Sequence, residues 1–193
     1  MNKNSYFSSF VYSENKPEWV RNLNTLSDKY LKKIEKPGNN YRSNNLSLEK
    51  DMGFFSSYVG GESYKILKEQ GYDLNNHSLA MTSLWVQDLK KGGHHCGHVH
   101  SNNHVSGFYF LKCNDKSSFP VFHDPRPAKL ITDLPLINET QLSEGSPSFY
   151  IKPIPGDLVL FNSYLNHEYS LNKDKDVFRF IHFNIQAIPR TNV

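Results

Sequence analysis

Gly92-Gly93-His94-His95-Cys96-Gly97-His98-Val99-His100-Ser101-Asn102-Asn103-His104-Val105-Ser106-Gly107-Phe108-Tyr109-Phe110-Leu111 is the stretch on which the fold turns. It holds five of the chain's nine histidines. Its tail, His104 to Leu111, is an apolar, β-favouring run that predicts a buried strand. The histidines therefore sit where the chain enters that strand. Histidine is the commonest side-chain metal ligand. In extended chain, residues two apart point the same way. His98 and His100 have that spacing, and they predict two imidazoles on one metal ion.

Upstream, Trp19, Val20, Leu23, Leu26, Tyr30, Leu31 and Ile34 recur at helical spacing. They predict a helix from Pro17 to Lys36, opened by Pro17 and closed by Pro37-Gly38. Residues 38–58 are polar and read as loop, and Glu62 to Gln70 reads as a shorter helix stopped by Gly71. From Ser78 the texture becomes β: Leu79–Leu89, His104–Leu111, Phe119–Phe122, a short Ala128–Ile131, Ser148–Lys152, Asp157–Phe161 and Val177–Ala187 are expected strands. Residues 132–147 read as loop, broken by Pro135, Gly145 and Pro147. Many short strands after two helices predict a mainly β jelly roll with two N-terminal supporting helices. A single domain over 1–193 is expected, with 1–76 a helical support region and 77–190 the jelly-roll core.

Composition limits the functions open to such a chain. The net charge of +3, from 22 basic and 19 acidic residues, is mild and the lysines are scattered, which argues against nucleic acid as partner. No run of about 20 apolar residues predicts a membrane span. Two cysteines make no disulfide framework. A reducing, cytoplasmic setting is expected.

Three further features follow the histidine stretch. Pro155-Gly156-Asp157-Leu158-Val159-Leu160-Phe161-Asn162-Ser163 is a turn and strand leading to His167. Asp124-Pro125-Arg126 closes an earlier strand. Arg179 lies twelve residues after His167, between Val177, Phe178, Phe180, Ile181 and Phe183. Iron(II) enzymes that activate O₂ use three protein ligands on one face of the metal and leave the other positions open. Two ligands from one strand end and a third from a distant strand give that geometry. The open positions then suit a chelating 2-oxo acid and O₂. An arginine in an apolar strand is costly without an anionic partner. Its planar fork suits a carboxylate.

With these residues the chain resembles the iron(II)/2-oxoglutarate-dependent oxygenases, and within them a bacterial and phage subgroup. That subgroup carries H-x-H-P, S-G-x-Y-Y, D-P-R and G-D-L-x-L-F-P-S-x-x-x-H segments and a later arginine. The matching residues are His98-Val99-His100-Ser101, Ser106 to Phe110, Asp124 to Arg126, Gly156 to Ser163 with His167, and Arg179, within about residues 78–187. The resemblance implies a double-stranded β-helix with iron(II) on His98, His100 and His167. It further implies 2-oxoglutarate as co-substrate near Arg179, Tyr109 and Ser163, with Arg179 on its far carboxylate. The implied reaction is hydroxylation of a small-molecule or peptidyl substrate with O₂. A homodimer is compatible with this reading.

The sequence departs from the wider pattern. His100 stands where most of the superfamily has a carboxylate, which leaves the iron more positive. It is too bulky for the halide space of the superfamily's halogenases. Phe110 and Ile181 replace hydroxyl residues that help hold the co-substrate, and Ser101 and Asn162 replace prolines. Asp124 remains an alternative ligand, as do His94, His95 and His104. Two other functions also stay open. One is a cupin-type metalloenzyme without a 2-oxo acid, although His167 lies far past Gly156 for that pattern. The other is a metal-binding module without turnover.

Overall fold

The computed structural model describes residues 1–32, 35, 38–132 and 134–190. Within them, two antiparallel sheets face each other, and two helices cover the outside of the larger one. The strands are β1 (Val11–Asn15), β2 (Asn40–Arg42), β3 (His77–Leu89), β4 (His95–His98), β5 (Val105–Lys112), β6 (Pro120–His123), β7 (Ser148–Tyr150), β8 (Asp157–Asn162), β9 (His167–Tyr169) and β10 (Phe178–Pro189). The larger sheet runs β1-β8-β5-β10-β3-β2 and the smaller β4-β9-β6-β7. This is the double-stranded β-helix that the sequence predicts.

Helices α1 (Val20–Leu31) and α2 (Gly53–Glu69) pack against the larger sheet. Each buries a face at helical spacing: Leu23, Ser27, Tyr30 and Leu31 on α1, and Phe55, Val59, Ser63, Ile66 and Leu67 on α2. The two serines on these faces donate to the carbonyls of Leu23 and Val59, four residues back, so their hydroxyls are satisfied in the core. A 3-10 turn, Pro17–Trp19, precedes α1. Of the last turn expected for that helix, residues 33, 34 and 36 lie outside the described residues. Helix α2 starts nine residues earlier than the sequence suggests. The Gly60-Gly61 pair lowers helix propensity by about 1 kcal/mol each, but packing of Phe55 and Val59 outweighs it.

Strict alternation divides the strands of the larger sheet between two cores. Val105, Tyr109 and Leu111 of β5, Leu84 and Val86 of β3, and Ile181, Phe183 and Ile185 of β10 face the helices. Phe108 and Phe110, Leu89, and Phe178 and Phe180 face the smaller sheet. Strands β5 and β10 are buried on both faces, which is why they read as continuous apolar runs. At Gly107 a Cβ would lie 2.2 Å from Phe183 Cζ and 2.6 Å from the Val159 carbonyl, so only glycine fits there.

Four short strands are invisible to the sequence reading. Strands β1 and β2 are edge strands in polar stretches, and β4 and β9 are too short to show a period. The expected strand Ala128–Ile131 is instead part of a 3-10 turn, Pro127–Thr132. Asp124 initiates it by accepting the Arg126 amide at 2.9 Å, and the Lys129 amide continues it onto Arg126 O. Among the described residues no helix is long and apolar enough to cross a membrane.

Candidate metal centre

Strand pairing assembles the centre. His98 on β4 and His167 on β9 are direct cross-strand partners, although they are far apart in sequence. His100 follows two residues after His98, and its amide is held by the Ser163 carbonyl at 3.0 Å. The potential ligand atoms of His98, His100 and His167 all lie within 4.8 Å of one another, a spacing that suits one metal ion.

Hydrogen bonding fixes the tautomers. The Nδ1 of His167 is 2.9 Å from the Leu165 carbonyl, and that of His98 is 2.8 Å from the Cys96 carbonyl. A carbonyl only accepts, so both Nδ1 atoms carry the proton and each Nε2 keeps a lone pair. The Nε2 atoms of His100 and His167 are buried and have no hydrogen-bond partner. Native structures rarely leave such atoms orphaned, and a metal ion would satisfy both. Burial, with the nearby His98 and His95, lowers the His100 pKa to about 4. Burial lowers that of His167 to about 3. Both rings are therefore neutral, as ligation requires, at any pH near 7.

A fourth imidazole adjoins the three. His182 on β10 is 2 % exposed, with its ring 4.5 Å from that of His100 and 4.3 Å from that of Trp85. Its Nε2 is 3.3 Å from Asn184 Oδ1, which also accepts the Ser106 hydroxyl at 2.6 Å. Sequence reasoning put His182 on the face opposite Arg179, in the core or at the surface, and so did not bring it to the site. The rule that separates faces, residue parity along the strand, was sufficient to find it once one inward residue of β10 was known.

Arg179 corrects the expectation. It lies on the helix-facing side of β10, away from the histidines. Its guanidinium donates to both oxygens of buried Asp88, at 2.7 and 2.9 Å, and to Asp28 at 2.7 Å. The buried charge already has its carboxylates, so Arg179 does not wait for one on a ligand. Tyr109 is turned the same way. Its hydroxyl donates to Lys16 O at 2.6 Å and its ring packs on Phe55 and Trp19, so it does not line the site. Ser163 is near the centre, but its hydroxyl bonds Ser106 at 2.8 Å and its backbone braces His100. Its place is structural support.

The other candidates are also placed. Asp124 is bound by its own neighbour Arg126, so it supplies no carboxylate to the three histidines. His104 Nδ1 accepts the Ala187 amide at 3.1 Å. His95 sits beside His98, with their Nδ1 atoms 3.3 Å apart. His94 is exposed. The space behind the histidines, between the sheets, is filled by Phe108, Phe110, Phe122, Phe161, Phe178, Phe180 and Tyr169, none more than 4 % exposed. Among the described residues Arg179 is the one buried lysine or arginine, and it faces outward. The metal fits this site. An anchor for the far carboxylate of 2-oxoglutarate is absent from β10.

Comparison with known proteins identifies the family. A family described as "Putative 2OG-Fe(II) oxygenase" matches residues 83–184, more than half of the chain. The chain belongs to this family of iron(II)- and 2-oxoglutarate-dependent oxygenases, and iron and 2-oxoglutarate are the family's cofactors. No curated protein matches it in sequence. Among solved structures, AviO1 from Streptomyces viridochromogenes superposes with a TM-score of 0.66 at 12% identity, over 95% of this chain and 93% of that one. A prolyl-4-hydroxylase from Pseudomonas putida gives 0.60 at 12%, over 94% and 93%. HygX from Streptomyces hygroscopicus, bound to nickel, 2-oxoglutarate and hygromycin B, gives 0.60 at 11%, over 95% and 84%. At such identities the likeness shows a shared fold.

Proposed function

We propose that the chain is a hydroxylase that uses O₂ and 2-oxoglutarate, with iron(II) held by His98, His100 and His167. The observation that carries this reading is the pair of buried, partnerless Nε2 atoms on His100 and His167, gathered with His98 within 4.8 Å. When bound, iron with 2-oxoglutarate supplies the coupling of oxidative decarboxylation, to succinate and CO₂, to insertion of oxygen into a substrate C–H bond.

The chain's own residues contribute placement and a dry environment. The Cys96 and Leu165 carbonyls orient two of the rings through their Nδ1–H groups. The ladder from His182 through Asn184 and Ser106 to Ser163 braces the loop that carries His100. Phe108, Phe122 and Phe161 pack around His167 and exclude water from that side. The substrate class is a small molecule or a peptidyl side chain, approaching from the open side of the three histidines. A cytoplasmic setting is consistent with two unpaired cysteines, Cys96 and Cys113.

The test is succinate formation from 2-oxoglutarate by the iron-loaded chain, against His167→Ala as the blank. Turnover in the chain and not in the variant supports the reading, and its absence in both sinks it. One observation favours a second reading, in which the substrate itself chelates the metal and no 2-oxo acid takes part. This is the aromatic filling behind the histidines, which leaves no cation there for a dicarboxylate. Oxygen uptake without succinate would select it.

A further inference from the structure

We propose that His182 is the positioning residue for His100, setting the plane of that ligand ring by packing against it. The inference rests on the three-histidine metal centre above. It starts from an asymmetry among the three ligands. The rings of His98 and His167 are each oriented by an Nδ1–H bond to a backbone carbonyl, of Cys96 and of Leu165. The ring of His100 makes no hydrogen bond among the described residues. Its amide is held by the Ser163 carbonyl, but that bond fixes the backbone and not the side-chain torsions. Ligand histidines almost always have an outer partner that aims the ring at the ion. For His100 that partner has to act by another kind of contact.

Three rings meet His100. Two are its fellow ligands, His98 at 4.9 Å and His167 at 5.1 Å between ring centres. The nearest is His182, at 4.5 Å with 35° between the planes. His182 does not join the group of ligand atoms that lie within 4.8 Å of one another. It therefore touches a ligand without being one.

His182 can serve as a wall because its own ring is held on every side. It is 2 % exposed. Its direct cross-strand neighbours are Trp85 on β3 and Phe108 on β5. Their rings lie 4.3 Å and 5.2 Å from it. Its Nε2–H donates to Asn184 Oδ1 at 3.3 Å. Asn184 accepts the Ser106 hydroxyl at 2.6 Å and donates to Ser83 Oγ at 2.8 Å. Three strands of the larger sheet thus fix one ring, and that ring faces the one ligand that lies in a loop, between β4 and β5. Turning His100 about its Cβ–Cγ bond would swing Nε2 off the metal, and a rigid ring on its face opposes that turn.

The experiment is titration of the metal-free chain with cobalt(II), read by the visible absorption bands of the bound ion, which report its coordination geometry. Two variants separate the ring of His182 from its hydrogen bond. His182→Gln keeps an N–H for Asn184 and loses the ring, whereas His182→Phe keeps a ring and loses the bond. His182→Gln should still take one cobalt at saturation, with shifted bands and an affinity lower on the order of tenfold. His182→Phe should keep the wild-type bands and affinity. Leu160→Ala, in the core beneath the helices, controls for general destabilisation, with a lower melting temperature and unchanged bands. Wild-type bands and affinity in His182→Gln overturn the proposal, as does a His182→Phe chain that behaves like His182→Gln. Should His182→Gln not fold, Trp85→Leu carries the test from a half-buried position, and unchanged bands there overturn the proposal too. A wild-type chain that takes up no cobalt overturns the metal centre itself, whereas normal uptake with an unaffected His182→Gln overturns the positioning role alone.

Discussion

Arg179→Met separates the two roles that this arginine can be given. The structure places Asp88 at 1 % exposure against it, bonded through both oxygens. Removing the guanidinium strands that carboxylate, with Tyr41 as its remaining donor. Breaking one partner of a buried pair costs about 3–5 kcal/mol. Asp28, whose side chain is 53% exposed, relaxes into water and adds little. With a urea slope of roughly 2–3 kcal/mol per molar, the unfolding midpoint should fall by about 1–2 M. Tryptophan fluorescence reports it through Trp19 and Trp85. The double variant Arg179→Met/Asp88→Leu should regain most of the loss, because no charge is then left unpaired. Any Arg179→Met chain that is still folded should bind 2-oxoglutarate within about twofold of wild type, since the residue points to the helices. An unchanged midpoint together with lost 2-oxoglutarate binding would refute this account and return Arg179 to the ligand.

Other expectations follow from the same geometry. His98→Ala, His100→Ala and His167→Ala should each lose stoichiometric iron in metal analysis, whereas His182→Gln should keep it, and iron retained by His167→Ala would rule out the three-histidine centre. Without metal, the chain should lose stability in acid. His100 and His167 fold with pKa values of about 4 and about 3, below the ordinary histidine value, so the unfolded chain takes up protons first as pH falls. Stability from each is complete above about pH 6.5 and is lost downward to the folded value, about 3 kcal/mol for His100. Urea midpoints of the metal-free chain that are level from pH 7.5 to 4.5 would contradict it. Gly107→Ala should destabilise by about 1–3 kcal/mol, because its Cβ would overlap Phe183 and the Val159 carbonyl. A melting temperature equal to wild type would show that β10 yields more easily than its burial implies.

The errors in placing Arg179 and Tyr109 share one cause. A strand's pattern of side chains has period two, so an error of one residue moves every side chain to the other face. Strands β5 and β10 are apolar on both faces, and nothing in their sequence says which parity looks inward. Taking Arg179 as the residue facing the site put His182 on the opposite face. The same ambiguity placed Tyr109 at the site. Single-faced elements were easier to read. The stripe on α1 identified Leu23, Tyr30 and Leu31 as buried, and the turn at Pro155-Gly156 marked the start of β8. Strands β4 and β9 carry two of the three histidines and lay beyond sequence reading, since three or four residues give no period.

From sequence alone came the strand-rich class, the family resemblance and the three histidines, because these rest on residue identity and order along the chain. Tertiary structure decided which face of each strand looks inward. That choice paired Arg179 with Asp88 and Asp28 and brought His182 beside His100. The physical reason is that a buried charge settles wherever its counter-charge is, and Asp88 becomes the neighbour of Arg179 only when β3 and β10 pair.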